Sequence, residues 1–198
     1  MSIRIVTDSS CDLPDAVAAE HGIRIVPLSI RFGDEEFIDR EELSTAEFWA
    51  RCSRQDTLPE TAAPAPGQFE QTYRELIAEG ATGIVVVSLS GALSATIQSA
   101  ELAGRSIDEI PIRVVDSRSA TLGVGTIALA SARLAAEGAT IDEVEALAVD
   151  RAARTRVFGA LDTLENLKKG GRIGGAKALL ATALSIKTSR SSTVPSSR

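Results

Sequence analysis

Residues 82–100 read TGIVVVSLSGALSATIQSA, and a change of period inside them sets the fold. Ile84 to Val87 form an unbroken β-branched run, the pattern of a central strand buried on both faces of a sheet. Beyond Leu93 the apolar residues take on helical spacing, which predicts a helix over 93–106. A buried strand that passes through a Ser/Gly turn into a helix is half of a βαβ unit.

The flanking sequence repeats this alternation. IRIVTD (3–8) and IPIRVVDS (110–117) are further strands, and RVFGALDT (156–163) reads as another. IRIVPLSIRFG (23–33) reads as one or two strands that turn at Gly33-Asp34 into a hairpin arm, EEFID. Pro14 stands near the start of a first helix that ends at His21-Gly22, where glycine suits a left-handed cap. Ser44 with Glu47, and Thr140 with Glu143, have capping-box spacing for helices through Phe48, Trp49 and Cys52 and over 140–154. Pro66 fits the first position of a helix ending near Ala78, and 120–137 is a helix rich in alanine. DTLPETAAPAPG (56–67) reads as a loop, and Trp49 and the phenylalanines read as core. The fold class is therefore α/β, with strands and helices alternating around a mostly parallel sheet.

Composition narrows the function classes. The 198 residues, 44% hydrophobic and 24% charged, describe an ordinary globular chain with no apolar run long enough for a membrane span. MSIRIVTDSS lacks the pattern of a signal peptide, which makes a cytoplasmic protein of bacterial type the expectation. Cys11 and Cys52 form neither a disulfide framework nor a metal-ligand spacing. A net charge of −6 argues against general nucleic-acid affinity, because phosphate contacts need clustered cations. After Glu165, however, the chain carries only positive side chains: Lys168, Lys169, Arg172, Lys177, Lys187, Arg190 and Arg198. A solvated charge run is the simple reading of that end, and a phosphate- or nucleic-acid-binding tail is the other.

Polar residues gather where strands end: Thr7-Asp8-Ser9-Ser10, Ser88-Leu89-Ser90 and Asp116-Ser117. In an open parallel sheet ligands bind at that rim. Turn chemistry alone also places Asp and Ser there. A serine nucleophile is poorly served: G-x-S-x-G is absent around Ser94, no S-x-x-K occurs in the loop, and His21, the single histidine, sits at a predicted helix end. What the loop offers instead is hydroxyls beside helix-start amides, a cradle for a carboxylate or phosphate. GGRIGGAK (170–177) fails as a phosphate loop because Ala176 occupies the lysine position, which leaves Arg172 as an exposed cation between glycines. The rival chemistry is a small metal-dependent phosphotransferase or hydrolase using Asp8 and Asp116.

Five stretches in order, IVTDSSCDLP (5–14), TAAPAPGQFEQTY (61–73), SLSGALSATIQSA (88–100), VVDSRSATLGVG (114–125) and DTLENLKKGGRIGGAKALL (162–180), resemble the DegV family of bacterial fatty-acid-binding proteins. The resemblance implies a three-layer α/β N-terminal domain over 1–150, followed by the start of a second α+β domain over 151–187. It implies a long-chain fatty acid as ligand, no cofactor, no catalysis by the chain itself, and a fatty-acid kinase as partner, in phospholipid metabolism. Carried over residue by residue, it implies that the hydroxyls of Thr61 and Ser94, the latter followed by Ala95 and Thr96, hold the acyl carboxylate. It implies that Arg172 faces the head group and the kinase. The chain departs from the family at Ala62, Ala63, Ala65, Ala95 and Ile97. Family members continue for roughly a further domain beyond Lys187 and supply a late histidine to the carboxylate. The expectation is a C-terminally truncated member, with a disordered Ser-rich tail over 188–198.

Overall fold

The computed structural model describes residues 2–54, 58–159, 165–172 and 174. In chain order these form β1 (Ile3–Asp8), α1 (Asp15–Glu20), β2 (Arg24–Val26), β3 (Ser29–Phe32), β4 (Glu35–Ile38) and α2 (Thr45–Cys52). There follow β5 (Glu60–Ala62), α3 (Pro66–Ala78), β6 (Gly83–Ser88), α4 (Thr96–Gly104), β7 (Ile112–Asp116), α5 (Leu122–Ala136), α6 (Ile141–Arg154) and α7 (Glu165–Lys169).

All six residues of β6 are buried, as the β-branched run demands. It lies between β1 and β7 in a four-stranded parallel sheet ordered β2-β1-β6-β7. Because side chains alternate along a strand, β6 feeds two cores at once. Val85 and Val87 pack with Val124, Ile127 and Val144 of α5 and α6 on one face. Ile84 and Val86 pack with Phe69, Tyr73 and Ala100 of α3 and α4 on the other. The result is the expected three-layer α/β arrangement. Tyr73 is fully buried and donates its hydroxyl to the Ala100 carbonyl at 3.2 Å, so its polar end is satisfied inside the apolar layer.

A second, antiparallel sheet of order β4-β3-β5 follows β2. The hairpin turning at Gly33, where φ is +62°, matches the Gly33-Asp34 expectation. Its small core joins Ile30, Phe32 and Leu43 with Phe37 and Phe48. β5 corrects the reading of 56–67 as loop throughout: three residues between Pro59 and Pro64 pair with β3, with Thr61 opposite Ile30. A three-residue edge strand flanked by Pro59 and Pro64 has too little pattern to be read alone.

The caps follow the sequence. Thr140 and Glu143 form a full box, the Glu143 carboxylate accepting the Thr140 amide at 2.8 Å. Ser44 accepts the Glu47 amide, but the Glu47 carboxylate pairs with Arg51 instead of closing the box. Three expectations change. α4 begins at Thr96 rather than 93, because a turn intervenes. Residues 155–159 are irregular rather than strand, and Phe158 is 81% exposed. Trp49 is 65% exposed, since Phe48 and Cys52 already occupy the inward side of α2. α6 ends at Arg154, where the helix expected over 140–154 ends. The 188–198 tail, and the rest of the 151–187 segment other than 151–159, 165–172 and 174, lie outside the described residues.

The N-terminus of α5 comes so near the loop after β1 that a Cβ on Gly125 would stand 2.4 Å from the Cys11 carbonyl oxygen and 2.9 Å from Leu13 Cγ. Gly125→Ala should therefore lower stability by about 1–3 kcal/mol in urea titration. Gly67→Ala, which meets nothing within 4 Å in α3, should raise it by about 0.5–1 kcal/mol.

Candidate functional site

Parallel register brings the ends of β1, β6 and β7 to one rim: Thr7 lies opposite Val87, and Ser88 opposite Asp116. The strand order reverses between β1 and β6, which is where ligands enter open α/β sheets. Here that crevice is closed by a side chain. Asp8 is 1% exposed; one carboxylate oxygen accepts the Leu89 amide at 2.8 Å and the Ser88 hydroxyl at 3.5 Å. The other accepts the Ser10 amide at 3.1 Å and the Ser10 hydroxyl. The remaining rim groups are tied in the same way. Asp116 accepts the amides of Gly91 and Arg118, Ser9 accepts Leu28 N–H, and Ser90 N–H reaches the Ser119 carbonyl. Sequence reasoning correctly assembled this rim, but its polar groups are spent on joining loops. Burial pushes the Asp8 carboxyl above its ordinary range, against the opposing pull of the Leu89 amide and Ser10. Among the described residues no three His, Cys, Asp or Glu side chains are grouped as metal ligands.

Past the rim, the turn at Gly91–Leu93 delivers Ser94 to the start of α4. The Ser94 hydroxyl accepts the Thr96 amide at 3.3 Å and lies 2.9 Å from Thr96 Oγ1. It satisfies one of the first-turn amides that have no partner inside a helix. Ser94 is half-buried and Ala95 exposed, whereas Thr96 is fully buried, so its hydroxyl faces Ser94 and not solvent.

The other two expected site residues, Thr61 and Arg172, meet at the antiparallel sheet. β5 presents Thr61 beside α7 and the glycine turn that follows it. Leu58, Pro59, Glu60 and Thr61 on one side, and Lys169, Gly170 and Arg172 on the other, enclose an open cavity of about 510 Å³. Arg172 donates to the Gly170 carbonyl at 2.6 Å through one guanidinium nitrogen, which turns the side chain back over the loop. Glu60 is paired with Arg31 across the sheet, so the positive charges of Lys169 and Arg172 in the cavity are not cancelled by it. Thr61 and Arg172, 111 residues apart in sequence, thus share one cavity. Ser94, Ala95 and Thr96 do not line it. Lys169 was missed as a site residue, because KK beside GG reads as a solvated run; its position three residues before Arg172 was the available signal.

The arrangement offers a hydroxyl and two cations over an apolar wall of Leu58 and Pro59, which suits a singly charged anion with an apolar remainder. Residues 2–188 match the model of a family described as uncharacterised DegV proteins. DegV domain-containing proteins of Clostridium perfringens and Streptomyces coelicolor are 36% and 40% identical over 185 residues each. The matches cover 93% of this chain but 66% and 65% of theirs, so the chain spans just under two-thirds of the length of these curated relatives. A solved DegV-family protein from Thermus thermophilus, described as binding fatty acid, superposes with a TM-score of 0.80 at 38% identity, over 93% of this chain and 65% of its own. DegV of Bacillus subtilis, a fatty-acid-binding protein, gives 0.84 at 28% identity with the same coverages.

Asp8→Ala should cost about 1–3 kcal/mol, since it strands the buried Leu89 amide. The raised Asp8 pKa means that the folded state holds this proton more tightly than the unfolded chain. Its contribution is therefore most favourable below the ordinary value of 3.8 and is lost as pH rises through the higher folded value. The stability of wild type minus that of Asp8→Asn should fall in urea titrations taken stepwise from pH 4 to 7; a rise would mean that the amide bonds outweigh burial.

Proposed function

The chain belongs to the DegV family, and from that premise we propose that it is a carrier of long-chain fatty acid with no chemical step of its own. It holds the acyl carboxylate and offers it to a fatty-acid kinase in the cytoplasm, without a cofactor. The observation that carries this reading is the cavity in which Thr61, Lys169 and Arg172 stand together. Its volume of about 510 Å³ falls within the range of about 300–1,000 Å³ usual for small-ligand sites. The fatty-acid-binding activity of its solved relatives supports the same ligand class.

In this reading the Thr61 hydroxyl donates to a carboxylate oxygen, and the Arg172 guanidinium supplies the fixed positive charge. Each charge-assisted bond contributes about 1.5–3 kcal/mol when shielded from water. Ser94 and the first-turn amides of α4 form a second cradle of neutral donors at the end of the parallel sheet. An acyl head group engaged by both would bridge the two sheets. Neutral donors suit a carrier, because they bind the carboxylate without activating it, and a kinase needs its oxygen free to attack. Arg172, exposed at the cavity mouth, is then available to the kinase as well as to the ligand.

Organic extraction and mass spectrometry of the purified chain should recover fatty acid. Thr61→Ala, Ser94→Ala and Arg172→Gln should each lower the retained fraction with unchanged circular dichroism, and Arg172→Gln should do so about tenfold, the equivalent of about 1.4 kcal/mol. Undiminished retention in all three variants would refute the assignment.

A further inference from the structure

The antiparallel lobe is joined to the parallel domain at one end only. In its register Ser29 of β3 pairs with Ile38 of β4 and with Ala62 of β5. That end is where the chain enters from β2 and leaves towards α3. The far end, where Phe32 pairs with Glu35, carries only the hairpin turn. The small core of Ile30, Phe32 and Leu43 is separate from both cores of the parallel sheet. A unit with its own core and two short crossings swings as a body unless something fixes its angle.

Arg40 is placed to do so. It follows β4 at the attached end, where Asp39 N–H donates to the Leu28 carbonyl at 2.9 Å. Its guanidinium leaves the lobe and engages the loop after β1. One nitrogen donates to the carbonyl of buried Leu13 and to the exposed Asp15 carboxylate at 2.7 Å, and the other lies 3.8 Å from Cys11 Sγ. Among the described residues, no other side chain of 29–62 makes a hydrogen bond or ion pair with the parallel domain. The remaining tie, Leu28 N–H to Ser9 Oγ at 3.1 Å, comes from the backbone of the crossing. The backbone at Arg40 has φ of +70°, where glycine rests without strain and a side chain does not. An arginine stays in that conformation because its surroundings hold it there, and here they hold it by the guanidinium.

We infer that Arg40 is a positioning residue: its fork latches the antiparallel lobe to the loop after β1 and sets how far the β5 wall, with Thr61, stands from the parallel sheet. Arg40 lines no part of the Thr61 cavity, so it acts on the swing of the lobe and not on the ligand. A latch of this kind governs passage. Weakening it speeds entry and exit together, and the dissociation constant holds as long as the closed form dominates. The passage half of the inference rests on the carrier reading; the latch itself does not.

Amide hydrogen exchange on the full chain tests the latch. The Leu28 amide loses Ser9 when the lobe swings, so its exchange should quicken about tenfold in Arg40→Gly and in Arg40→Asn, two residues at ease at positive φ. The Val85, Val86 and Val87 amides of β6 should keep their wild-type rates. Asp15→Asn, a change at an exposed position, should give a smaller rise at Leu28 and keeps the test open if the Arg40 variants do not fold. Passage is read by stopped flow with cis-parinaric acid, a fluorescent long-chain fatty acid, displaced by oleate. Arg40→Gly should raise uptake and release alike, by about fivefold or more, with the dissociation constant within about twofold of wild type. Unchanged Leu28 exchange in all the variants overturns the latch. So does a rise shared equally by β6, which marks a general loss of stability. Release that quickens while uptake stays the same overturns the passage role, because it places Arg40 among the ligand's own contacts. If cis-parinaric acid binds no form of the protein, the carrier reading fails and the Leu28 exchange still decides the latch.

Discussion

The bond from the Leu89 amide to the buried Asp8 carboxylate, 2.8 Å long, holds the two central strands together where they would otherwise part. β1 and β6 run parallel, and their following segments leave in opposite directions, towards β2 and towards α4. Such a crevice opens onto solvent in many α/β proteins, and ligands exploit it. In this chain a carboxylate from one strand takes up the first free amide of the other. The 3₁₀ turn at Ser9–Cys11 then packs against α5, where Gly125 permits backbone contact. Remove that tie and both the approach to α5 and the path into α4 lose their reference point.

Filling the crevice has a chemical consequence. Asp8 and Asp116 are the residues on which a metal-dependent reading rests; Asp8 spends both oxygens, and Asp116 its Oδ1, on backbone amides of neighbouring loops. Burial also favours the neutral form of Asp8, which lowers the share of carboxylate available to ligate a metal. The groups left for a ligand are those the rim does not consume. These are the half-buried Ser94 with the first amides of α4, and the Thr61, Lys169 and Arg172 set on the antiparallel lobe.

Much of the scaffold was legible because its physics is local. An unbroken β-branched run reads as a doubly covered strand, and Thr140 with Glu143 reads as a cap, whatever surrounds them. β5 was not legible, because three residues carry no period and pair only when β3 is already in place. Trp49 and Phe158 were misread for a different reason. Apolarity says that a side chain gains from burial, but not that the fold has room for it, and Phe48 had already taken the inward position on α2. The resemblance implies Thr61 and Ser94 at one carboxylate with Arg172 nearby, whereas the cavity joins Thr61 to Arg172 and Lys169 and leaves Ser94 outside it. Residues 111 apart share a cavity through topology, and a single sequence carries no signal of that kind.

The division between the two sheets explains why the site need not be rigid in the same way throughout. The parallel sheet buries apolar side chains on both faces, so a displaced strand there would expose two cores at once. The antiparallel lobe has one small core on one face, and β5 joins it by three residues. Such an edge costs little to shift, because few buried contacts oppose the movement. In the proposed function a long acyl chain would enter past its own head-group site, which requires one wall that yields and one that does not. Ser94 stands on the unyielding side, at the start of a helix packed on the main sheet, and Thr61 stands on the side that can give. In the proposed carrier, hydroxyls on sheets of unequal stiffness would let a carboxylate be registered against Ser94 while Thr61 closes on it.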